Sequence, residues 1–235
     1  MLSCSLYAND KHLPVTALEH YDKGNYGKSI EAYHSAIKQG IAPGNLYYNL
    51  GNAYYRNEQI GAAMASFLAA RRYLPRDPDI KANLKYVHSQ LKDNLDIELN
   101  KNIWTVVGFW IGRVTKEELL NIFFILFASG FFLLFIARVV VVLKGAKNIA
   151  LVLVVCSLFV LGAYQVSNLH DDHWGAVIKD RIEVRSSPGK DGSIMFKLHQ
   201  GAPFVVKAES PEWVKILLSD SQKGWVAKQD ILFFR

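Results

Sequence analysis

The sequence predicts a multidomain protein that consists of an all-α helical-repeat domain, a two-helix transmembrane hairpin and a C-terminal all-β barrel. Three observations predict this order. Residues 9–98 carry an apolar helical pattern, residues 119–143 and 149–167 are two long apolar runs, and residues 174–235 alternate short strand-like segments with turn residues. Hydrophobic residues make up 51% of the 235-residue chain but are concentrated in its middle, which is typical of a membrane region between two soluble domains.

The charge pattern favours a membrane protein over a nucleic-acid-binding protein. The formal net charge is +6, and residues 101–148 hold six basic and two acidic residues, an excess of four. A basic excess beside an apolar run is typical of membrane orientation and of contact with lipid headgroups. No segment combines a Lys/Arg stripe with interleaved aromatic residues, so the sequence predicts no nucleic-acid partner.

The first eight residues, 1–8, have some features of the end of a secretory signal segment. The small residue Ala8 precedes the polar pair Asn9-Asp10, but a basic start and a long apolar core are missing. We therefore predict a possible remnant of a signal segment here, with a frayed chain end as the alternative.

The sharpest motif is a set of eight residues with regular spacing: Tyr47, Leu50, Gly51, Tyr54, Ala63, Phe67, Ala70 and Pro75. The spacing resembles the tetratricopeptide (TPR) pattern, in which a pair of antiparallel helices repeats about every 34 residues. Small residues in this pattern let the two helices approach, and aromatic residues fill the gaps between them. A weaker copy lies upstream over 24–43, and a third helix is expected to run to about Leu95. We therefore expect TPR-type repeats over residues 9–98.

The first helix of the stronger repeat has a polar face that predicts a peptide-binding groove. The groove residues are Asn45, Tyr48, Asn49, Asn52, Tyr55 and Arg56. Asparagine amides can donate to and accept from a peptide backbone, and an arginine can bind a carboxylate. A solvated polar face without a ligand is the alternative, and the sequence favours neither.

Residues 119–143 and 149–167 are each predicted to cross a membrane, because about 20 apolar residues span its hydrocarbon core. Thr115 and Glu118 fit a capping box at the start of the first span. The segment 99–118 contains two tryptophans, and its apolar part 103–114 has one charged residue, Arg113. We expect it to be an amphipathic segment in the lipid headgroup layer, with packing against the helical domain as the alternative.

The connection 144–148 is basic and contains no acid, so the positive-inside rule places it in the cytoplasm. Both soluble domains would then lie on the extracytoplasmic side, with the hairpin in contact with membrane lipid. Lys101, Arg113 and Lys116 flank the other end of the first span and oppose this orientation.

Residues 174–235 contain four short motifs: Val184-Arg185-Ser186-Ser187-Pro188, Leu198 with Gly201, Trp213 with Ile216, and Gly224-Trp225-Val226. In this order they resemble the bacterial SH3 domain. The expected strands are 175–179, 182–185, 194–198, 204–209, 213–218 and 224–226. Trp213 and Trp225 are candidates for an SH3-like binding surface and, equally, for the barrel core.

No catalytic constellation is present in the sequence. It contains no Gly-rich phosphate loop and no His-Glu-x-x-His motif, and neither cysteine stands beside a histidine in an exposed context. The run His170–His173 has the composition of a zinc site, but a polar linker is the usual meaning of four adjacent residues of this kind. We therefore expect no enzymatic activity, no cofactor and no metal.

The order of helical repeats, membrane hairpin and bacterial SH3 domain resembles the BatE family of the aerotolerance operon. The resemblance rests on this architecture and on the Tyr47–Pro75 repeat. It implies an integral protein of the bacterial cytoplasmic membrane that acts beside von Willebrand factor A-type membrane proteins and a MoxR-type ATPase. The leading hypothesis is a scaffold that recruits such partners to an envelope complex through the TPR groove. The alternative is a cell-envelope sensor whose barrel binds cell-wall peptide or glycan.

Overall fold

The computed structural model describes residues 14–40, 44–93, 95, 114–139, 145–169, 173–218 and 222–234. The chain forms two compact units. One unit combines the chain before the apolar helices with the chain after them, and the other contains the apolar helices. The predicted signal remnant at 1–8, residues 99–113 of the predicted interfacial segment, Lys144 and residues 170–172 lie outside the described residues.

Five helices form the helical domain of the first unit. They are α1 (Val15–Asp22), α2 (Tyr26–Lys38), α3 (Gly44–Arg56), α4 (Ile60–Tyr73) and α5 (Pro78–His88). Each helix packs against the next, and their buried faces form one core. Helix α5 has a clear start, because the Asp77 carboxylate accepts hydrogen bonds from the backbone N–H groups of Asp79 and Ile80 at 2.9 and 3.0 Å.

The pair α3 and α4 packs through the small and aromatic residues that the sequence pattern singled out. Gly51 has no room for a side chain, since a Cβ atom there would lie 2.6 Å from Cε1 of Phe67. Ala63 and Ala70 are fully buried, and Tyr47 is 2% exposed. The predicted packing roles are confirmed, although one helix pair of this kind does not by itself establish TPR repeats.

Helix α5 ends at His88 rather than near Leu95, because the chain turns toward the barrel. His88 Nε2 lies 2.5 Å from the carbonyl oxygen of Leu95, and Leu95 packs against the barrel core. Leu91 lies against Gly201, where a Cβ atom would be 2.2 Å from Leu91 Cδ2.

Seven strands form the C-terminal sheet. They are β1 (His173–Val177), β2 (Arg181–Arg185), β3 (Ile194–His199), β4 (Pro203–Glu209), β5 (Trp213–Leu217), β6 (Lys223–Ala227) and β7 (Ile231–Phe233). Their order is β3-β2-β6-β5-β4-β1-β7, and all these pairings are antiparallel. The six predicted strands are present within two residues of their predicted ends. Strand β7 was not predicted, because three residues directly after a 3-10 turn are too short to show an alternating pattern.

The barrel has its own core, which is built from the inward-facing residues of several strands. These residues are Val177, Ile182, Val184, Leu198, Phe204, Val214, Ile216, Val226 and Ile231. Inward and outward positions alternate along β2, β5 and β6, as expected for strands with one buried face. This antiparallel sheet fits an SH3-like domain.

The helical domain and the barrel share a buried interface that the sequence did not predict. Ala176 of β1 is fully buried within the core cluster of the helical domain, and Leu232 and Phe234 pack against the same cluster. Gly61, near the start of α4, comes so close that a Cβ atom there would lie 2.1 Å from the carbonyl oxygen of Val177. The two domains are therefore one packed unit.

Polar contacts accompany the apolar ones in this interface. The guanidinium carbon of Arg71 lies 5.2 Å from the centroid of the Trp174 ring, in a cation–π arrangement. The carboxylate of Asp93, just beyond α5, accepts a hydrogen bond of 2.6 Å from the backbone N–H of His199 in β3. The barrel is thus held at β1, β3 and β7.

The second unit contains helices α6 (Lys116–Val139) and α7 (Ala146–Leu169). The predicted capping box at the start of α6 is confirmed. The backbone N–H of Thr115 donates to Glu118 Oε2 at 2.9 Å, and the backbone N–H of Glu118 donates to Thr115 Oγ1 at 3.2 Å. Each helix begins three residues before its predicted span. Helix α6 begins directly after the capping residue Thr115, and helix α7 includes residues 146–148 of the predicted connection.

The two apolar helices pack against each other through small residues. A Cβ atom on Gly130 would lie 2.9 Å from Val154 Cγ2 and 3.3 Å from the carbonyl oxygen of Ala150. Large side chains that face away from this contact are exposed, including Phe124, Phe131, Phe132, Phe135, Leu151 and Phe159. By length and composition, Lys116–Val139 and Ala146–Gln165 could each cross a membrane.

Candidate ligand groove of the barrel

A groove of about 840 Å³ lies on the surface of the barrel. Its walls come from β2, from the connection 186–193 that follows β2, from the connection 210–212 before β5, and from the 3-10 turn Lys228–Asp230. Trp213, the first residue of β5, lines the groove beside Pro211. Loops that converge on one aromatic side chain form the kind of concave surface that binds ligands.

The two tryptophans singled out in the sequence both lie on the outward face of the sheet. The inward-facing residues Val214 and Val226 are fully buried, whereas Trp213 and Trp225 are half-buried and lie outside the barrel core. Trp213 lines the groove and Trp225 does not. The Nζ atom of Lys215 instead lies 6.0 Å from the centroid of the Trp225 ring. Of the two candidates, the structure brings only Trp213 to the groove.

Basic side chains outnumber acidic ones along the groove. The lining includes the bases Lys179, Arg181, Arg185, Lys190, Lys197 and Lys228 and the acids Glu183, Glu212 and Asp230. Two of the acids are engaged within the lining. Glu183 Oε2 lies 2.6 Å from Arg185 Nη2, and Asp230 Oδ1 lies 3.2 Å from Lys179 Nζ. The groove therefore favours a ligand with negatively charged groups.

Arg185 organises the rim of the groove. Its Nη1 atom donates to the carbonyl oxygens of Lys190 and Gly192 at 2.6 and 2.9 Å. The connection folds back tightly at this point, since a Cβ atom on Gly192 would lie 2.7 Å from the carbonyl oxygen of Ser187. Because these bonds fix the position of Lys190, Arg185 acts by shaping the groove.

Sequence reasoning missed the basic lining of the groove. In β2, Arg181, Glu183 and Arg185 alternate with the buried residues Ile182 and Val184. This alternation, visible in the sequence, places the three charged side chains on one outward face. The contribution of Lys190 had no comparable signal, because it depends on how the connection folds.

The helical domain exposes only part of the predicted peptide groove. Three of the six predicted residues are fully buried, namely Tyr48, Asn49 and Asn52. Asn45 and Tyr55 are half-buried, and Arg56 is exposed. The expectation that all six face an open groove is therefore corrected for the three buried residues. Peptide binding on the rest of this face stays a prediction.

Helix α5 covers two of the three buried residues. The side-chain amide of Asn83, itself fully buried, donates to Asn52 Oδ1 at 3.1 Å and lies 3.3 Å from the hydroxyl oxygen of Tyr48. Nearer the surface, Gln90 Nε2 donates to the Tyr55 hydroxyl at 3.1 Å. Polar groups that were expected to meet a peptide thus meet α5 instead.

An aromatic cluster lies where the helical domain meets the C-terminal strand. His34 Nε2 is hydrogen-bonded to the Tyr54 hydroxyl, and the Phe234 ring lies 4.9 Å from the Tyr47 ring and 6.4 Å from that of His34, centroid to centroid. Burial raises the pKa of Tyr47 and of Tyr54 to about 12. Burial, with the charge of Lys38, lowers the pKa of His34. These rings are therefore neutral near pH 7 and belong to the interface.

Metal binding has no support within the described part of the chain, where no group of three or more His, Cys, Asp or Glu side chains is placed to hold an ion. Three of the four residues in the predicted polar linker, 170–172, lie outside that part.

The seven-stranded antiparallel fold of the C-terminal region is that of an SH3-like domain. Residues 180–231 match the family model of the bacterial SH3 domain, which confirms that part of the sequence interpretation. The match includes β2 to β6 and the groove residue Trp213. A comparison of the chain with curated proteins gives no match. The TPR-type repeats and the BatE resemblance therefore stay predictions.

Proposed function

We propose that this chain is a membrane-anchored protein of the bacterial cell envelope whose barrel groove binds cell-wall peptide or glycan. The observation that carries this proposal is the groove beside Trp213, whose lining residues other than Lys179 lie within the match to the bacterial SH3 domain. Bacterial SH3 domains mediate binding to the cell wall or to proteins. The proposed role is binding without catalysis, and it needs no cofactor.

Two features support the membrane anchor, namely the two long apolar helices and the contact between the helical domain and the barrel. Helices α6 and α7 are long and apolar enough to span a bilayer. They lie in the chain between the helical domain and the barrel, which pack together in one unit. Two domains in contact must lie on the same side of a membrane, so the segment between them has to cross an even number of times. A two-helix hairpin in the cytoplasmic membrane meets this condition, with both domains on the extracytoplasmic side if the basic connection 144–148 is cytoplasmic.

The scaffold hypothesis remains a second candidate, and it is favoured by the exposed remainder of the α3–α5 face. Arg56 is exposed, and the ring centroids of Tyr55 and Tyr86 lie 5.9 Å apart at the surface between α3 and α5. Aromatic and arginine side chains are the commonest anchors of protein interfaces. The partners in this case would be the von Willebrand factor A-type membrane proteins that the BatE resemblance implies.

The test compares two outward-facing tryptophans. The full chain, purified in detergent, is sedimented with insoluble bacterial cell walls, and the bound fraction is measured against wall concentration. Trp213→Ala should weaken binding roughly tenfold or more, because loss of a buried aromatic anchor costs at least about 1.4 kcal/mol. Trp225→Ala, which removes the same side chain outside the groove, should bind like the unaltered chain.

The outcomes separate the two candidates. Wall binding that is equal for the two variants places the contact elsewhere on the protein. The scaffold is favoured by two results together. The chain does not sediment with walls, and it captures a von Willebrand factor A-type protein. Replacing Tyr55, Arg56 and Tyr86 by Ala then abolishes this capture.

A further inference from the structure

We infer that the barrel groove selects an extended peptide that carries spaced carboxylates. This inference rests on the proposed function, because it names the ligand chemistry of the same groove. The ion pairs that the groove residues already make determine which charges are left for a ligand.

Three bases of the groove have no acidic partner among the described residues. Lys179 and Arg185 are paired with groove acids, and Lys228 Nζ lies 3.2 Å from Glu209 Oε2 outside the lining. Arg181, Lys190 and Lys197 are exposed and make no ion pair with any described residue. Among the acids of the groove, Glu212 is the one that makes no ion pair with a described residue, so the open charges leave an excess of two positive.

These open bases are distributed along the groove. Arg181 lies at the first position of β2, and Lys197 lies opposite Glu183 on the neighbouring strand β3. Lys190 stands beyond the other end of β2, where Arg185 holds its backbone. Strand β2 rises about 3.4 Å per residue, so its five residues extend roughly 13 Å. A ligand that meets all three bases must itself be extended.

The acids retained in the groove distinguish a peptide from a dense polyanion. Glu212, the acid of the groove without an ion pair to a described residue, would repel the nearest groups of a chain that carries a negative charge on every unit, such as polyphosphate. A peptide can place its carboxylates beside the lysines and its amides beside the acids, which accept hydrogen bonds. Trp213 offers the ring face on which a peptide bond or an aliphatic side chain can lie.

Three soluble probes test this inference on the full chain in detergent. The first is a cell-wall fragment with free stem-peptide carboxylates, the second is the same fragment with these carboxylates amidated, and the third is a Glu-Gly repeat peptide. The free fragment should bind at least tenfold more tightly than the amidated one. Replacing Lys190 and Lys197 together by Gln should remove this preference, whereas Lys223→Gln, an exposed lysine of β6 outside the groove, should keep it.

The pattern of results separates this inference from the proposed function. Equal binding of free and amidated fragments overturns the carboxylate preference and leaves wall binding in place. Binding of the Glu-Gly peptide alone, lost in the double lysine variant, supports the carboxylate site and overturns wall binding. Tighter binding of inorganic polyphosphate than of either peptide-bearing probe overturns the inference, and so does the absence of binding by every probe.

Discussion

Asp93 and His199 are 106 residues apart in the chain and are joined by two hydrogen bonds. The Asp93 carboxylate accepts from the backbone N–H of His199 at 2.6 Å through Oδ2, and its Oδ1 lies 2.8 Å from Nδ1 of the same histidine. The two apolar helices lie between these residues in the sequence. One carboxylate thus links the exit of the helical domain to the edge strand of the barrel.

Asp93→Ala should weaken the docking of the barrel. The substitution leaves the His199 backbone N–H and imidazole without their acceptor, which costs about 0.5–1.5 kcal/mol for each hydrogen bond between part-buried groups. The measurement is the free energy of unfolding of the full chain in detergent, followed by tryptophan fluorescence. Glu31→Ala removes an exposed acid of α2 and serves as the control. A cost no larger than that of Glu31→Ala would show that the link adds nothing to stability.

Gly61→Ala tests the close contact between α4 and β1. A Cβ atom at this position would lie 2.1 Å from the carbonyl oxygen of Val177, so the barrel has to shift. Overpacking of this kind costs about 1–3 kcal/mol, and we expect a lower thermal midpoint together with faster proteolysis between the domains.

The matched control is Gly27→Ala, near the start of α2. A Cβ atom there meets no other atom within 4 Å, so alanine should be neutral or should stabilise the helix by about 0.4–1 kcal/mol. If the two variants unfold alike, the contact between Gly61 and Val177 does not form in solution.

The corrected position of Asn52 gives a third prediction. Asn52→Ala removes the nearer of two oxygen acceptors of the buried Asn83 amide, which should destabilise the protein by about 1–3 kcal/mol. A residue on an open groove would give almost no change. Asn57→Ala, an exposed asparagine just after α3, should stay within about 0.5 kcal/mol of the unaltered chain. If the two substitutions change the thermal unfolding midpoint equally, the buried position of Asn52 is contradicted.

The difference between prediction and structure at Asn52 shows where sequence reasoning reaches its limit. Spacing identified the α3–α4 contact, because Gly51 and Phe67 follow a local helical period. The same period marks Asn52 as polar and outward-facing on an isolated helix pair, but it does not show that Asn83, 31 residues later, covers it. The packing of Gly61 against Val177 has no sequence signal at all, since it depends on two distant segments. The barrel strands were predicted well, because their inward and outward residues alternate locally.

The His34 side chain predicts a pH dependence of stability. Its folded-state pKa is lowered below the ordinary value of 6.5, first by burial and second by Lys38. The unfolded chain therefore binds the proton more readily, and the free energy of unfolding should fall as the pH drops below about 6.5. His34→Phe keeps a ring beside Tyr54 and Phe234 but cannot be protonated, so its unfolding should depend less on pH in this range. If the free energy of unfolding changes with pH in the same way for both proteins, His34 is not the source of the pH dependence.

The membrane hairpin gives the last prediction, because the docking of the two soluble domains fixes the parity of the crossings. Both native cysteines are first replaced by alanine, and single cysteines are then placed at Asn57 in the helical domain, at Lys223 in the barrel and at Gly145 between α6 and α7. All three positions are exposed. An impermeant maleimide is added to intact bacterial spheroplasts that express each variant, and labelling is compared before and after lysis.

The domain interface requires that positions 57 and 223 label alike, whichever way the hairpin points. Because the connection 144–148 is basic, we expect both to react in intact spheroplasts and position 145 to react only after lysis. If position 145 alone is labelled before lysis, the hairpin crosses the membrane in the opposite orientation. Labelling of all three shows that α6 and α7 do not cross the membrane. Opposite labelling of 57 and 223 cannot coexist with the Asp93–His199 link or with Ala176 in the helical core, so it would show that the two domains are apart in the membrane-bound protein.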